Sequence, residues 1–320
     1  MKTQSQPPAK TICSRHADSN PASDSMKIPA ILCFAVTALT ANGADLPPLN
    51  TPATTDHYPG KFIWGDLFTA DPAAAEKFYT GLFGWTATTI ERTTPSGIHP
   101  YIVLSVGDRP IAGISKRPAL LKDEVHGRWI GYVSVPDVAQ ALAAATAGGG
   151  QVVSKARDLP PRGTQGIFTD AEGAMLGVMH SSSGDPGEFL PEPGDWTWAE
   201  LFARDPGAAG LYYHTVIGYD RIPDTRTEQP NNFVLVSGGY SRASVSPVPN
   251  RPRAHPAWLL FIRVASVKDT VAKAVSLGGR VLVPPSDTPT EYWRAIIADP
   301  SGAHIGVVEL EEPTPGKEQP

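Results

Sequence analysis

The sequence repeats itself, and a chain that repeats over such a length must build its structure from copies of one unit. Trp64 matches Trp198, Asp71-Pro72 matches Asp205-Pro206, Tyr79 matches Tyr213, and Gly84-Trp85 matches Gly218-Tyr219, always 134 residues apart. Further on the spacing becomes 129: Gly149-Gly150 matches Gly278-Gly279, and Asp170…Gly173 matches Asp299…Gly302. Self-similarity at one long period, with the change in spacing confined to a loop, indicates a duplicated domain.

Each copy itself divides in two. A strand leads into a helix from Asp71 to Phe83, then strands near 101–106 and 110–115. A second strand at 129–135 leads into a helix from Asp137 to Ala147, then strands near 151–155, 165–169 and 174–180. Aspartate at each helix start is an N-cap that suits the helix dipole, and Gly148–Gly150 stop the second helix. The chain therefore reads as four βαβββ modules. The boundaries predicted are an N-terminal extension and signal over 1–44, a linker at 45–60, a first domain at 61–181, a linker at 182–194, a second domain at 195–312 and a tail at 313–320. With 41% hydrophobic and 18% charged residues among 320, there is enough apolar material for two cores. A net charge of −5 without any Lys/Arg run argues against a nucleic-acid partner.

From Met26 a basic start is followed by an apolar run, Ile28 to Ala41, and small residues to Ala44, the pattern of a secretory signal. The run is short for a membrane span. The expectation is a periplasmic or secreted protein rather than a membrane-anchored one. The two cysteines, Cys13 and Cys33, lie in or before that segment, so the remainder has no disulfide, thiolate ligand or cysteine nucleophile.

The Asp-Pro-x-x-Ala helix with Phe78-Tyr79, the Leu82-Phe83-Gly84-Trp85 element and the Asp-x-x-Gly turn before a last strand resemble the vicinal oxygen chelate superfamily of glyoxalases, bleomycin resistance proteins and extradiol dioxygenases. The resemblance covers 60–181 and 194–312, although the second copy departs from it at Tyr212–Tyr219. It implies an α+β fold of two tandem glyoxalase-like domains, each of paired βαβββ modules forming a cup-shaped mixed sheet. It also implies a substrate in the cup, often with a divalent metal. The positions at which metal-binding members carry ligands hold Trp64, Ile130 and Gly177 in the first copy and Trp198, Leu259 and Gly306 in the second. None offers an imidazole, carboxylate or thiolate, so no metal cofactor is expected.

Alternation along a strand puts Phe62, Trp64, Asp66 and Phe68 on one face, and Trp196, Trp198, Glu200 and Phe202 on one face of the second copy. If these faces line the cups, each cup is an aromatic wall with one carboxylate. Asp66 and Glu200 then read either as pocket acids or as carboxylates that pair with a basic neighbour or reach solvent at the rim. His304 lies two residues before Gly306 and is a candidate partner for Glu200, or a histidine satisfied in a turn or core. Met175 takes its place in the first copy. Tyr292, Trp293 and Arg294 form a candidate lip that suits a planar or anionic ligand, though a strand of good β-formers explains them equally. His99, His126, His214 and His255 are expected in loops or on a helix without shared spacing.

These residues lead to an exported protein that binds a small aromatic or hydrophobic molecule without a metal, like the antibiotic-sequestering members of the group, as a monomer or homodimer. The alternatives are a lyase, isomerase or dioxygenase of the same group using Glu200 and His304, with Asp66 as the first cup's candidate acid, or a non-catalytic scaffold.

Overall fold

The computed structural model describes residues 46–94, 97–116, 127–225, 231–251, 254–285 and 293–310. The signal pattern, Cys13, Cys33, His126, Tyr292 and the 313–320 tail lie outside the described residues. No described helix is long and apolar enough to cross a membrane.

The first copy contributes β1 (Phe62–Thr69), α1 (Pro72–Phe83), β2 (Thr86–Thr94), β3 (Gly97–Val106), β4 (Arg109–Lys116), β5 (Gly127–Ser134), α2 (Val138–Ala147), β6 (Gln151–Leu159), β7 (Gly163–Thr169) and β8 (Met175–Ser181). The second follows the same order with β9 (Trp196–Ala203), α3 (Pro206–Ile217), β10 (Asp220–Pro223), β11 (Phe233–Ser237), β12 (Tyr240–Pro247), β13 (Ala257–Arg263), α4 (Val267–Ser276), β14 (Arg280–Val283), β15 (Trp293–Ala298) and β16 (His304–Glu309). Each copy forms one eight-stranded sheet, β2-β3-β4-β1-β5-β8-β7-β6 and β10-β11-β12-β9-β13-β16-β15-β14. In each module the strand before the helix runs parallel to the last strand after it, as β1 with β4 and β5 with β8, which requires the helical crossover. The two modules of a copy meet at an antiparallel β1–β5 or β9–β13 pair. Three strands follow α1 where the sequence predicts two. The third is β2, the threonine-rich Thr86–Thr94, whose polar β-formers lack the apolar alternation that marks a buried strand. His99 lies within β3 rather than in a loop.

The helix starts behave as their sequences dictate. Asp71 accepts from the amide of Ala74, Asp137 from that of Gln140 and Asp205 from that of Ala208. In α4, Ser266 takes the aspartate's place and accepts from the amide of Asp269. The helices lie on the sheet faces directed toward the other copy, and the core is shared. Leu67, Phe78, Trp129 and Leu176 of the first copy and Leu201, Tyr213, Ile262 and Ile305 of the second belong to one buried cluster. The opposite faces form the cups.

The expected alternation breaks at one place in each copy. The register of β1 shifts between Phe62 and Trp64, and that of β13 against β9 shifts between Phe261 and Ile262, opposite Trp198 and Trp196. These irregularities turn Phe62 and Trp196 away from the cups and into the shared core. Phe62 packs on Trp258 at 5.4 Å, while Trp196 packs on Trp129 at 5.3 Å and on Trp85 at 5.9 Å.

Equivalent residues fasten the copies reciprocally. The Tyr79 hydroxyl in α1 donates to Asp299 Oδ2 of the second copy at 3.1 Å, and the Tyr213 hydroxyl in α3 donates to Asp170 Oδ2 of the first at 3.1 Å. Trp129 donates its indole N–H to Tyr79 Oη at 2.8 Å, as Trp258 does to Tyr213 Oη at 2.8 Å. Trp85 donates to the Gly194 carbonyl at 2.9 Å, and Tyr219 donates to the Gly60 carbonyl at 2.6 Å. Tyr219 therefore does the work of Trp85 with a hydroxyl in place of an indole N–H, and the departure at that position keeps the contact.

Tyr79→Phe leaves Asp299 Oδ2 and Trp129 Nε1 short of a buried partner, and should cost about 1–3 kcal/mol in denaturant unfolding. A loss below about 0.5 kcal/mol would show that the tyrosine is not a fastener. Burial pushes the phenols of Tyr79, Tyr101, Tyr132, Tyr213 and Tyr219 above the ordinary tyrosine range. Above about pH 10 the unfolded chain releases these protons while the folded chain holds them, so stability falls as pH rises, by up to about 1.4 kcal/mol per pH unit for each phenol. The melting temperature should drop steeply there, with the absorbance of these five phenolates appearing only as the protein unfolds.

Candidate functional site

The first cup is closed by the chain's own residues. Trp64, Asp66 and Phe68 of β1 face it, with Tyr101 and Val103 from β3, Ile130 and Tyr132 from β5 and Met179 from β8. Asp66 is buried, and its Oδ1 accepts from Trp64 Nε1 at 2.8 Å and from the Tyr101 hydroxyl at 2.6 Å. Gly113 on β4 makes this possible, because a Cβ there would lie 1.9 Å from Tyr101 Oη and 2.7 Å from Asp66 Oδ1. The fully buried Arg162 lies over the Trp64 ring at 3.8 Å and donates from Nε to the Pro47 carbonyl at 2.9 Å and from a terminal nitrogen to Tyr101 Oη at 3.4 Å.

A strap completes the closure. Leu46 and Leu49, from the segment read as a linker, are buried against Trp64 and its neighbours. The amides of Leu49 and Asn50 donate to Ser183 Oγ, and that of Tyr58 donates to Asp185 Oδ2 at 2.7 Å. Ser183 and Asp185, on the connector between the copies, are themselves buried, so the two connecting segments are anchored to each other at these points. Burial of the strap costs backbone freedom, which its buried leucines and these hydrogen bonds offset.

The second cup is built on the same strands with different side chains. Trp198, Glu200 and Phe202 of β9 face it, with Leu259 and Phe261 of β13, Ile296 of β15 and Val308 of β16. Trp198 is only half-buried, whereas Trp64 is 2% exposed; Phe68 and Phe202 are both half-buried. Ser244 stands where the first copy has Gly113, as the β12–β9 and β4–β1 registers show, and accepts from Trp198 Nε1 at 3.0 Å. Glu200 is buried. Its Oε1 accepts from the Ser246 hydroxyl at 2.7 Å, and its Oε2 accepts from Arg294 at 3.1 Å. The Arg294 side chain is 61% exposed, the Glu200 side chain 5%. Trp293, its neighbour on β15, is 38% exposed.

The structure thus brings Glu200 and Arg294 together and leaves His304 apart. Leu259 of β13 is the partner of Glu200 in the ladder, and β13 separates β9 from β16, which carries His304. His304 is exposed and its charged neighbours are His255, Arg280, Asp299 and Arg128; partial desolvation, then His255 and Arg280, lower its pKa. The Arg294 pairing is invisible to spacing, because 94 residues separate its partners. Tyr101 and Arg162 of the first cup gave no sequence signal for a similar reason.

The six family ligand positions have definite occupants. Trp64 and Trp198 form cup walls, and Ile130 and Leu259 pack among them. Gly177 and Gly306 are overlaid by aromatic rings of the adjacent strands. A Cβ at Gly177 would lie 2.4 Å from the Tyr132 ring, and one at Gly306 would lie 2.2 Å from the Phe261 ring. The space a ligating carboxylate would need is taken by a ring, and the residues present do not fit the divalent metal. Among the described residues no three His, Cys, Asp or Glu side chains are grouped so as to hold one.

Two sheets of paired βαβββ modules, each curled around a cup, define a class of proteins. The sequence profile of the Glyoxalase/Bleomycin resistance protein/Dioxygenase superfamily matches residues 56–178, and that of the Glyoxalase-like domain matches residues 198–308. The chain belongs to this superfamily, the vicinal oxygen chelate group, as a tandem two-domain member. It is 31% identical over 268 residues to the Streptomyces peucetius "Anthracycline biosynthesis protein DnrV", covering 80% of this chain and 96% of that one. It is 28% identical over 258 residues to the Mycobacterium tuberculosis "Putative glyoxylase CFP32", covering 81% and 98%. The fold is shared with the Mn(II)-bound glyoxalase from Novosphingobium aromaticivorans, at a TM-score of 0.54 and 12% identity over 80% of this chain and 83% of that one.

Leu49→Ala should empty part of the first cup and cost about 2–4 kcal/mol in denaturant unfolding. A cost under about 1 kcal/mol would show that the strap leucine does not fill the cup.

Proposed function

We propose that this protein is an exported, metal-independent binder of a small aromatic or hydrophobic molecule, and that the second cup receives it. The observation that carries the reading is the contrast between the cups. The first is sealed over Trp64 by Arg162, Leu46 and Leu49, while the second leaves Trp198 half-exposed beside a buried, hydrogen-bonded carboxylate. Apolar walls with a few placed polar groups are the usual make-up of a small-molecule site. Two relatives bear names from anthracycline biosynthesis, and an anthracycline is a planar aromatic polycycle, which suits such walls. The Met26 signal pattern supports export.

The metal-free reading rests on the occupants of the six ligand positions. Catalysis through a Glu200–His304 couple has little support, because Glu200 is engaged by Ser246 and Arg294 with β13 between it and His304.

Titration with planar polycyclic aromatics should quench tryptophan fluorescence, and Trp198→Ala should weaken binding at least about tenfold, the equivalent of roughly 1.4 kcal/mol. Binding should be indifferent to EDTA. One tightly held transition metal per purified chain, lost together with binding, would overturn the metal-free reading.

A further inference from the structure

The second cup's polar machinery is asymmetric, and the asymmetry selects the charge of its ligand. Glu200 sits on the central strand of the sheet, buried among Trp198, Phe202 and Leu259. Its countercharge, Arg294, lies two strands beyond β13 on β15 and reaches across to it with a side chain that remains 61% exposed. A ligand entering the cup with a charged group must compete with one partner of this pair. An anion would draw Arg294 away and leave a buried carboxylate with Ser246 alone, which is strongly unfavourable. A cation would displace Arg294 into water, where a guanidinium is readily solvated, and would keep Glu200 paired. The aromatic side chains flanking Glu200 favour the same choice, since ring faces attract cations.

Resting on the small-molecule reading above, we propose that the second cup takes cationic aromatic ligands, with an ammonium or amidinium-type group on Glu200, and that Arg294 is a displaceable internal countercharge occupying the cation subsite. Arg294 thus keeps the buried carboxylate neutralised when the cup is empty, and its departure is part of binding. The first cup carries no such exchange. Asp66 is bonded by Trp64 and Tyr101, and the Arg162 guanidinium there is fully buried.

The test compares three tricyclic probes of matched size by fluorescence or calorimetry at neutral pH: 9-aminoacridine, which is protonated, acridine, which is neutral, and 9-anthracenecarboxylate, which is anionic. The wild-type chain should bind the cation at least about tenfold tighter than the neutral probe, with the anion weakest. Glu200→Gln should abolish that preference. Arg294→Gln should tighten 9-aminoacridine binding by about tenfold, because the internal competitor is gone. A preference for the anion, an absence of charge preference in the wild type, or weaker cation binding by Arg294→Gln would each overturn the inference while leaving the small-molecule reading standing. Binding of none of the three would remove both. The wild-type comparison needs no variant, so a folding defect in Glu200→Gln does not blunt it.

Discussion

Two hydroxyl groups hold the architecture together. Tyr79 and Tyr213 each reach from the first helix of one copy to the aspartate of the Asp-x-x-Gly turn in the other, and each receives an indole N–H from a tryptophan of its own copy. The aspartates are as fully used. Asp170 Oδ1 accepts from the amides of Glu172 and Ala174, and Asp299 Oδ1 accepts from the amides of Ser301 and Ala303. One carboxylate therefore shapes a turn with one oxygen and docks the neighbouring copy with the other. Burial raises the Asp170 pKa, the cost of holding an acid inside a shared core. The helices are trapped between the sheets, so the opposite faces are left as concave surfaces.

Duplication then allowed the two cups to diverge on one scaffold. In the first, Gly113 admits the Tyr101 hydroxyl, and Asp66, Tyr101 and Arg162 form a buried polar chain under the strap. In the second, Ser244 at the equivalent position engages the tryptophan, and the carboxylate turns to Ser246 and Arg294. Small changes, glycine to serine and aspartate to glutamate, redirect the hydrogen bonds of the tryptophan and of the carboxylate. Both cups nonetheless lay an aromatic ring over the glycine at the last ligand position, Tyr132 over Gly177 and Phe261 over Gly306.

How much was legible from the sequence depended on whether a feature was local. The helix caps, the module order and the equivalence of the copies follow from residues close together or repeated at fixed spacing, and they stand as read. The facing of Phe62 and Trp196 is not legible in the sequence, because strict alternation assumes a regular ladder and one register shift in each copy reverses it. Strand β2 was missed because its threonines carry no apolar alternation. The linkers were read from composition, and Leu46 and Leu49 gave no sign of where they would be buried.

By itself the sequence determined the duplication, the βαβββ order and the residues standing at the six ligand positions, because repeats, caps and identities are properties of the linear chain. Only the tertiary structure decided what those residues meet. It set the repeated tyrosines and aspartates to joining the copies, closed one cup with a strap that precedes it, and paired Glu200 with Arg294 rather than His304. Strand order and curvature choose such partners, and neither is written in the spacing between residues.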